Sequence, residues 1–255
     1  MEHSKKQLYD DLRKLGITSG DSVLIHSSFK ALGGIEDGAK GFFETILQLL
    51  GENGNLILPT FTYNPCYDTF EFSAEDTPSC VGYLTEYFRT KVNGAVRSLH
   101  PTHSCTVFGK DAEWFVKNHN LDSTPVGYNS PLQKLVRKNG KVLMSGDIYD
   151  HNTLLHGVEE VAMAPYVFNN SAESVEYKVT DLSGNAFSQK VKRHNISQSG
   201  YTQRYSRIIP LLSEAEISFG KVLEANCVLM NAQAVWEKGI DKIGDDPYYF
   251  VEKTI

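Results

Sequence analysis

Gly20-Asp21-Ser22-Val23-Leu24-Ile25-His26-Ser27-Ser28 and Asn55-Leu56-Ile57-Leu58-Pro59 are two short apolar runs, and the stretch between them decides the fold. From about Asp37 to Leu50 it carries Phe42, Phe43, Ile46, Leu47, Leu49 and Leu50 at helical spacing, and Gly51 and Gly54 then stop it. Strand, helix and strand at this spacing predict a βαβ unit with a right-handed crossover, and hence a parallel sheet. The runs are apolar on both faces, as expected of strands covered by helices on both sides.

Upstream, Leu8, Leu12 and Leu15 predict a helix from Lys5 to Leu15, ended by Gly16. Downstream, Thr60 to Ser79 is expected to be a long loop rich in aromatic, proline and acidic residues, a length that usually carries function. Helices are predicted from Val81 to Phe88, Ala112 to His119 and Ser130 to Lys138, the last with Ser130 as cap and Pro131 in the first position. Strands are predicted at Ser104–Phe108 and Lys141–Met144. A polar turn, Gly146 to His151, then leads into a helix capped by Asn152 or Thr153 and running to about Met163. Beyond it the pattern changes. Val175–Val179, the turn Ser183-Gly184-Asn185 and Phe187–Val191 predict an antiparallel hairpin. A strand near Cys227–Met230 lies between helices at Tyr205–Leu212 and Ala232–Lys238. The expectation is an α/β fold: a central, mostly parallel sheet flanked by helices, with an antiparallel β-rich C-terminal elaboration. It would form a single domain over 1–255, with a core at about 5–165 and the elaboration at about 166–255.

Composition narrows the function classes. The 255 residues are 41 % hydrophobic and 22 % charged, an ordinary globular balance, and the net charge of −6 argues against a nucleic-acid binder. No run approaches the roughly 18–20 apolar residues of a membrane span, and the N-terminus has no secretory h-region. Cys66, Cys80, Cys105 and Cys227 are scattered, as in a cytoplasmic protein with reduced thiols, where the sequons Asn169-Asn170-Ser171 and Asn195-Ile196-Ser197 carry no meaning.

Three polar clusters fall at predicted strand ends, where open sheets place their sites. His26-Ser27-Ser28 with Gly33-Gly34 precedes a helix, an arrangement that offers backbone N–H groups to a phosphate but matches neither dinucleotide nor P-loop fingerprints. His100-Pro101-Thr102-His103-Ser104 lacks an acidic partner at ligand spacing, so no metal is expected. A metal-dependent hydrolase would have to draw on His100, His103 and His151. In Asn152-Thr153-Leu154-Leu155-His156-Gly157-Val158-Glu159, a helix puts Thr153, His156 and Glu159 on one face, the pattern of an oriented general base. The helix start pulls the imidazole pKa down and Glu159 pulls it up, so the sign stays open at this level.

Taken in order, these segments resemble the aminoglycoside N3-acetyltransferase family, an antibiotic N-acetyltransferase fold distinct from the GNAT type. The resemblance also runs through Leu32-Gly33-Gly34, Leu58-Pro59-Thr60-Phe61-Thr62, Thr77-Pro78-Ser79, Val96-Arg97-Ser98-Leu99-His100, Thr124-Pro125-Val126-Gly127 and Ser130-Pro131. It covers residues 5 to 165 well and the rest loosely.

The resemblance implies acetyl-CoA as cosubstrate, no metal, and a small-molecule acceptor with a primary amine, as in an aminoglycoside or related amino sugar. His156 would take the amine proton, Glu159 would hold its ring or the substrate ammonium, and Thr153 would assist. Ser27, Ser28, Gly33, Gly34 and Ser104 would lie on the CoA side. Thr60, Thr62 and His100 would line the acceptor tunnel, joined by Asp68 and Glu71 of the long loop. A soluble cytoplasmic enzyme is expected, with no nucleic-acid or membrane partner and with a homodimer compatible. Lys190, Lys192, Arg193 and His194 depart from the family pattern and suit a polycation poorly. They favour an amino sugar bearing a neutral or anionic group, such as a nucleotide-linked sugar of surface-polysaccharide synthesis. A CoA- or sugar-binding module without turnover is the non-enzymatic alternative.

Overall fold

The computed structural model describes residues 2–168 and 174–254; the sequon at Asn169 lies outside them. Helix α1 (Lys5–Leu15) starts where the Ser4 hydroxyl accepts from the Gln7 N–H and ends at Gly16, whose φ of 118° is open to glycine. It buries Leu8, Leu12 and Leu15, each contributing roughly 1.5–3 kcal/mol when fully withdrawn from water.

The predicted βαβ unit is present. Strand β1 (Ser22–Ser27) pairs parallel to β2 (Asn55–Pro59), with α2 (Gly38–Leu50) as the crossover. Next come α3 (Tyr63–Thr69), β3 (Glu71–Ser73), α4 (Tyr83–Lys91), β4 (Val96–Arg97), β5 (Cys105–Gly109) and α5 (Ala112–Val116). They are followed by α6 (Pro131–Arg137), β6 (Lys141–Ser145) and α7 (Leu154–Val161). The C-terminal part holds β7 (Val175–Thr180), β8 (Ala186–Val191), β9 (Tyr201–Gln203), β10 (Ile217–Val222), β11 (Ala225–Asn231), α8 (Ala232–Asp245) and β12 (Val251–Lys253).

The main sheet has seven strands in the order β10-β11-β6-β1-β2-β5-β4. Neighbours are parallel at its centre, β6-β1-β2, while β11 and β5 run against them. The outer strands β10 and β4 reverse again, so five of the seven point the same way. Alternation within β1 divides the core. Val23 and Ile25 face α1, α2 and α4, whereas Leu24 faces α6, α7 and α8. The hairpin β7-β8 forms as expected and takes β3 as a parallel third strand, closing a small core of Cys66, Phe72, Tyr177, Val179 and Val191.

Several expectations change. Thr60–Ser79 is not a loop: it holds α3 and β3, because Cys66, Phe72 and Ala74 have the small sheet to pack against. The helix expected at Ala112–His119 ends at Val116, and the Tyr205–Leu211 segment is a 3-10 helix. Residues beyond 166 contribute β10, β11 and α8 directly to the main sheet and its helical cover. Among the described residues no helix is long and apolar enough to cross a membrane.

Candidate active site

A cleft of about 1060 Å³ opens at the C-terminal ends of the parallel strands, the position at which such sheets hold ligands. Ile25–Ser27 of β1 with Ser28 just after it, Leu58 and Pro59 of β2, and Ile148, Asp150 and His151 after β6 reach it, with Thr153 and His156 of the α7 segment. The C-terminal part closes it with His194, Ser197, Gln198 and Thr202–Tyr205.

Helix α7 fixes the chemistry. The Asn152 side chain accepts from the Leu154 N–H at 3.2 Å and so does the capping. That frees the Thr153 hydroxyl, which lies 2.8 Å from His26 Nε2, the same atom that accepts the Thr153 N–H at 3.2 Å. One turn on, His156 is 14 % exposed at its side chain and Glu159 is fully buried. Between them sits Tyr205 of the 3-10 helix. Its hydroxyl is 2.7 Å from Glu159 Oε2 and 2.8 Å from His156 Nδ1, while the direct Nδ1–Oε2 distance is 3.5 Å.

One hydroxyl proton settles the direction of this chain. A carboxylate only accepts, so Tyr205 donates to Glu159 and its oxygen accepts from Nδ1–H of His156. Nε2 of His156 is therefore the lone-pair nitrogen, the tautomer a proton acceptor needs. Tyr166 donates to the other Glu159 oxygen at 3.0 Å. Burial, with the Glu159 charge behind it, pushes the Tyr205 hydroxyl well above its ordinary range and keeps it protonated.

The sign left open by the sequence is now decided. Burial lowers the His156 pKa below its ordinary value, outweighing the opposing hydrogen bond and charge of Glu159. His26 and His100 are pushed down to about 3, first by burial and then by neighbouring histidines. His103 lies well below its ordinary value for the same reasons. A cluster of imidazoles surrounds the cleft floor: His156 and His194 rings are 4.8 Å apart, and His103 and His194 are 4.9 Å apart. His194 Nε2 is held by Glu160 at 2.6 Å, and Glu160 also takes the Val126 N–H.

His103, His156 and His194 are the group among the described residues with ligand atoms close enough to consider a shared metal ion, all within 4.8 Å of one another. Around tetrahedral zinc, neighbouring nitrogens stand roughly 3.3 Å apart, from Zn–N distances of about 2.0–2.1 Å. The rings would have to close in to bind. The set proposed from the sequence, His100, His103 and His151, is not such a group.

Of the other residues expected at the site, Ser27, Ser28 and Thr153 line the cleft, whereas eight lie outside its lining. Ser104 is buried, accepting from Arg97 Nε at 3.0 Å and donating to the Thr60 carbonyl. Thr60 and Thr62 are buried with hydroxyls committed to Thr106 and the Pro101 carbonyl. His100 Nδ1 accepts the His103 N–H at 3.1 Å and so shapes the turn. Gly33, at φ 79°, sits against Glu224, and the Gly34 carbonyl accepts the His3 N–H. Asp68 is exposed on α3, and Glu71 pairs with Lys178 at 3.5 Å. Their short-range sequence context marked them as polar, but the strand β3 and helix α3 turn them away.

Four participants were not singled out as site residues: Tyr205, His26, His103 and His194. His26 stood in the first cluster and His103 in the second, so both carried a signal. Tyr205 reaches Glu159 across 46 positions, and no local pattern announces it.

Residues 24–243 match the family model described as aminoglycoside 3-N-acetyltransferase. Aminoglycoside N(3)-acetyltransferase III of Salmonella sp is 30 % identical over 179 residues, covering 64 % of this chain. The match spans 62 % of that relative's length, less than two thirds. Among solved structures, AAC-IIIb in its binary complex with CoASH superposes with a TM-score of 0.80 at 23 % identity, covering 96 % of this chain and 97 % of that one. A mutant of aminoglycoside acetyltransferase AAC(3)-IVa in complex with gentamicin gives 0.79 at 26 % identity, covering 98 % and 92 %.

Proposed function

The chain belongs to the aminoglycoside 3-N-acetyltransferase family, and from that premise we propose that it transfers the acetyl group of acetyl-CoA to a primary amine of an amino sugar, with His156 as the base. The observation that carries this reading is the relay Glu159–Tyr205–His156, which presents a lone pair on Nε2 in a cleft of about 1060 Å³. A solved structural neighbour named for its complex with CoASH supports the choice of cosubstrate.

An alkylammonium is not a nucleophile, so the amine must lose a proton to act. The ammonium gives its first proton to solvent, and Nε2 of His156 takes the second as the neutral amine nitrogen attacks the thioester carbonyl. The imidazolium formed keeps its Nδ1–H on Tyr205 and, through it, on the buried Glu159 carboxylate. This compensates charge without an ion pair reaching solvent. The tetrahedral oxyanion collapses, the C–S bond breaks, and the thiolate of CoA takes the proton back from Nε2. The products are the acetamide and CoASH. Ser27 Oγ and His26 Nδ1, both buried at the cleft floor without a partner among the described residues, are the side-chain groups we assign to the thioester end, with Ser28 beside them. Glu159, being fully buried, orients the base and does not touch the substrate.

The test is release of CoA thiol from acetyl-CoA by the purified protein against a panel of primary amines, with the product identified by mass. Amine-dependent release with an acetylated amine supports the reading. Release unaffected by any amine, or no binding of acetyl-CoA, would remove it.

A further inference from the structure

We infer that the acceptor is a sugar with a single ammonium group and otherwise neutral or anionic substituents, and not a polycationic aminoglycoside. This inference rests on the transfer reading above and concerns only what the cleft selects. Each ammonium drawn out of water needs a carboxylate or a full set of neutral acceptors. A site selecting a molecule with several ammonium groups therefore needs several carboxylates.

Among the described residues, one carboxylate lines the cleft, that of Asp150, and its Oδ1 already accepts the Ser206 N–H at 2.8 Å. Glu159 and Glu160 lie behind the histidines, both buried, one held by Tyr166 and Tyr205 and the other by His194 and Val126. Among the described lining residues that leaves Asp150, with Oδ2 uncommitted, as the one carboxylate that can meet an ammonium.

The acids that could have served a polycation are elsewhere. Glu71 pairs with Lys178, Asp76 accepts from the Ser73 hydroxyl at 2.9 Å, and neither they nor Asp68 and Glu75 line the cleft. The overall negative charge of the chain is thus not gathered at its site.

The C-terminal side of the cleft, where Asp150 meets the Ser206 N–H, also carries a positive charge. Arg204 lines the cleft beside the neutral Ser197, Gln198, Thr202 and Gln203. Arg204 and Arg207 share one carboxylate, that of Glu252, so this cluster is left with one positive charge. Arg204 uses Nε on Glu252 and Nη1 on the Gln203 carbonyl. Its remaining donors suit a carboxylate or phosphate on the acceptor, while hydroxyl and amide side chains around it suit sugar hydroxyls.

The experiment is steady-state kinetics of the full chain with acetyl-CoA and three probes: kanamycin, glucosamine and a uridine-diphosphate-linked amino sugar. The expected result is a kcat/KM at least about tenfold higher for one of the two single-amine probes than for kanamycin. Arg204→Glu should narrow or invert that ratio through acceptor KM, leaving the KM for acetyl-CoA in place. A wild-type preference for kanamycin overturns the inference while leaving the transfer reading standing. An Arg204→Glu effect confined to the KM for acetyl-CoA overturns the role given to Arg204. No transfer to any amine defeats the underlying reading itself.

Discussion

Acidification should destabilise this protein in a range where most carboxylates are still ionised, and the size of the effect follows from two histidines. His26 and His100 are buried neutral, with pKa values pushed down to about 3, against an ordinary value of 6.5. In the unfolded chain both regain the ordinary value, so between these limits the unfolded state binds more protons and stability falls as pH falls. Between about pH 7.5 and about pH 5 each group removes about 2 kcal/mol, from about 1.4 kcal/mol per unit over some 1.5 units below the unfolded pKa. Together they remove about 4 kcal/mol, a large part of a typical total of about 5–15 kcal/mol. His103 and His119, also held well below the ordinary value, act in the same direction. Urea unfolding at stepped pH measures this directly, and His100→Asn, which retains an acceptor for the His103 N–H, should flatten the slope by about one proton. A stability unchanged within about 1 kcal/mol across that interval would refute the assignment of these imidazoles as buried and neutral.

Further outcomes follow from the same geometry. Tyr205→Phe leaves His156 Nδ1–H without its acceptor at 2.8 Å. It should lower kcat by about 10–100-fold with little change in the KM for acetyl-CoA, on the scale of general-base effects. The low pKa of His156 places the acidic limb of the kcat/KM profile below pH 6.5, because the unprotonated ring persists to lower pH. With an acceptor amine whose own pKa lies well below 6.5, an acidic limb above 6.5 would contradict it. Gly157→Ala would bring a Cβ to 2.6 Å from Val126 and 2.7 Å from Trp236, so a loss of about 1–3 kcal/mol by overpacking is expected in thermal or urea unfolding. Acetyl-CoA at a hundredfold excess over its dissociation constant should stabilise the fold by about 2.7 kcal/mol, seen as a raised melting temperature.

Much of this was legible in the sequence because the deciding signals are local. The apolar runs around Leu24 and Ile57, with α2 between them, fix the parallel pair, and the His156–Glu159 spacing survives as a shared helix face. The parts that were not legible depend on distant partners. Strand β10 has a largely exposed face, so it shows no apolar run, and it exists by pairing with β11. Segment Thr60–Ser79 becomes ordered only because β7 lies beside Phe72. The hydroxyls of Thr60, Thr62 and Ser104 and Nδ1 of His100 look chemical in a linear reading, yet they are used in holding β5 and the turn before it. Tyr205 enters from a 3-10 helix with its hydroxyl on a carboxylate 46 residues away.

If His156 is the base in acetyl transfer, its removal should separate binding from turnover, which is read by measuring acetyl-CoA binding and amine-dependent CoA release on the same preparation of His156→Ala. Turnover should fall by about 10²–10⁴-fold with acetyl-CoA affinity kept within a few-fold. Turnover that survives in His156→Ala would contradict it, the more so if His103→Ala or His194→Ala abolished activity instead.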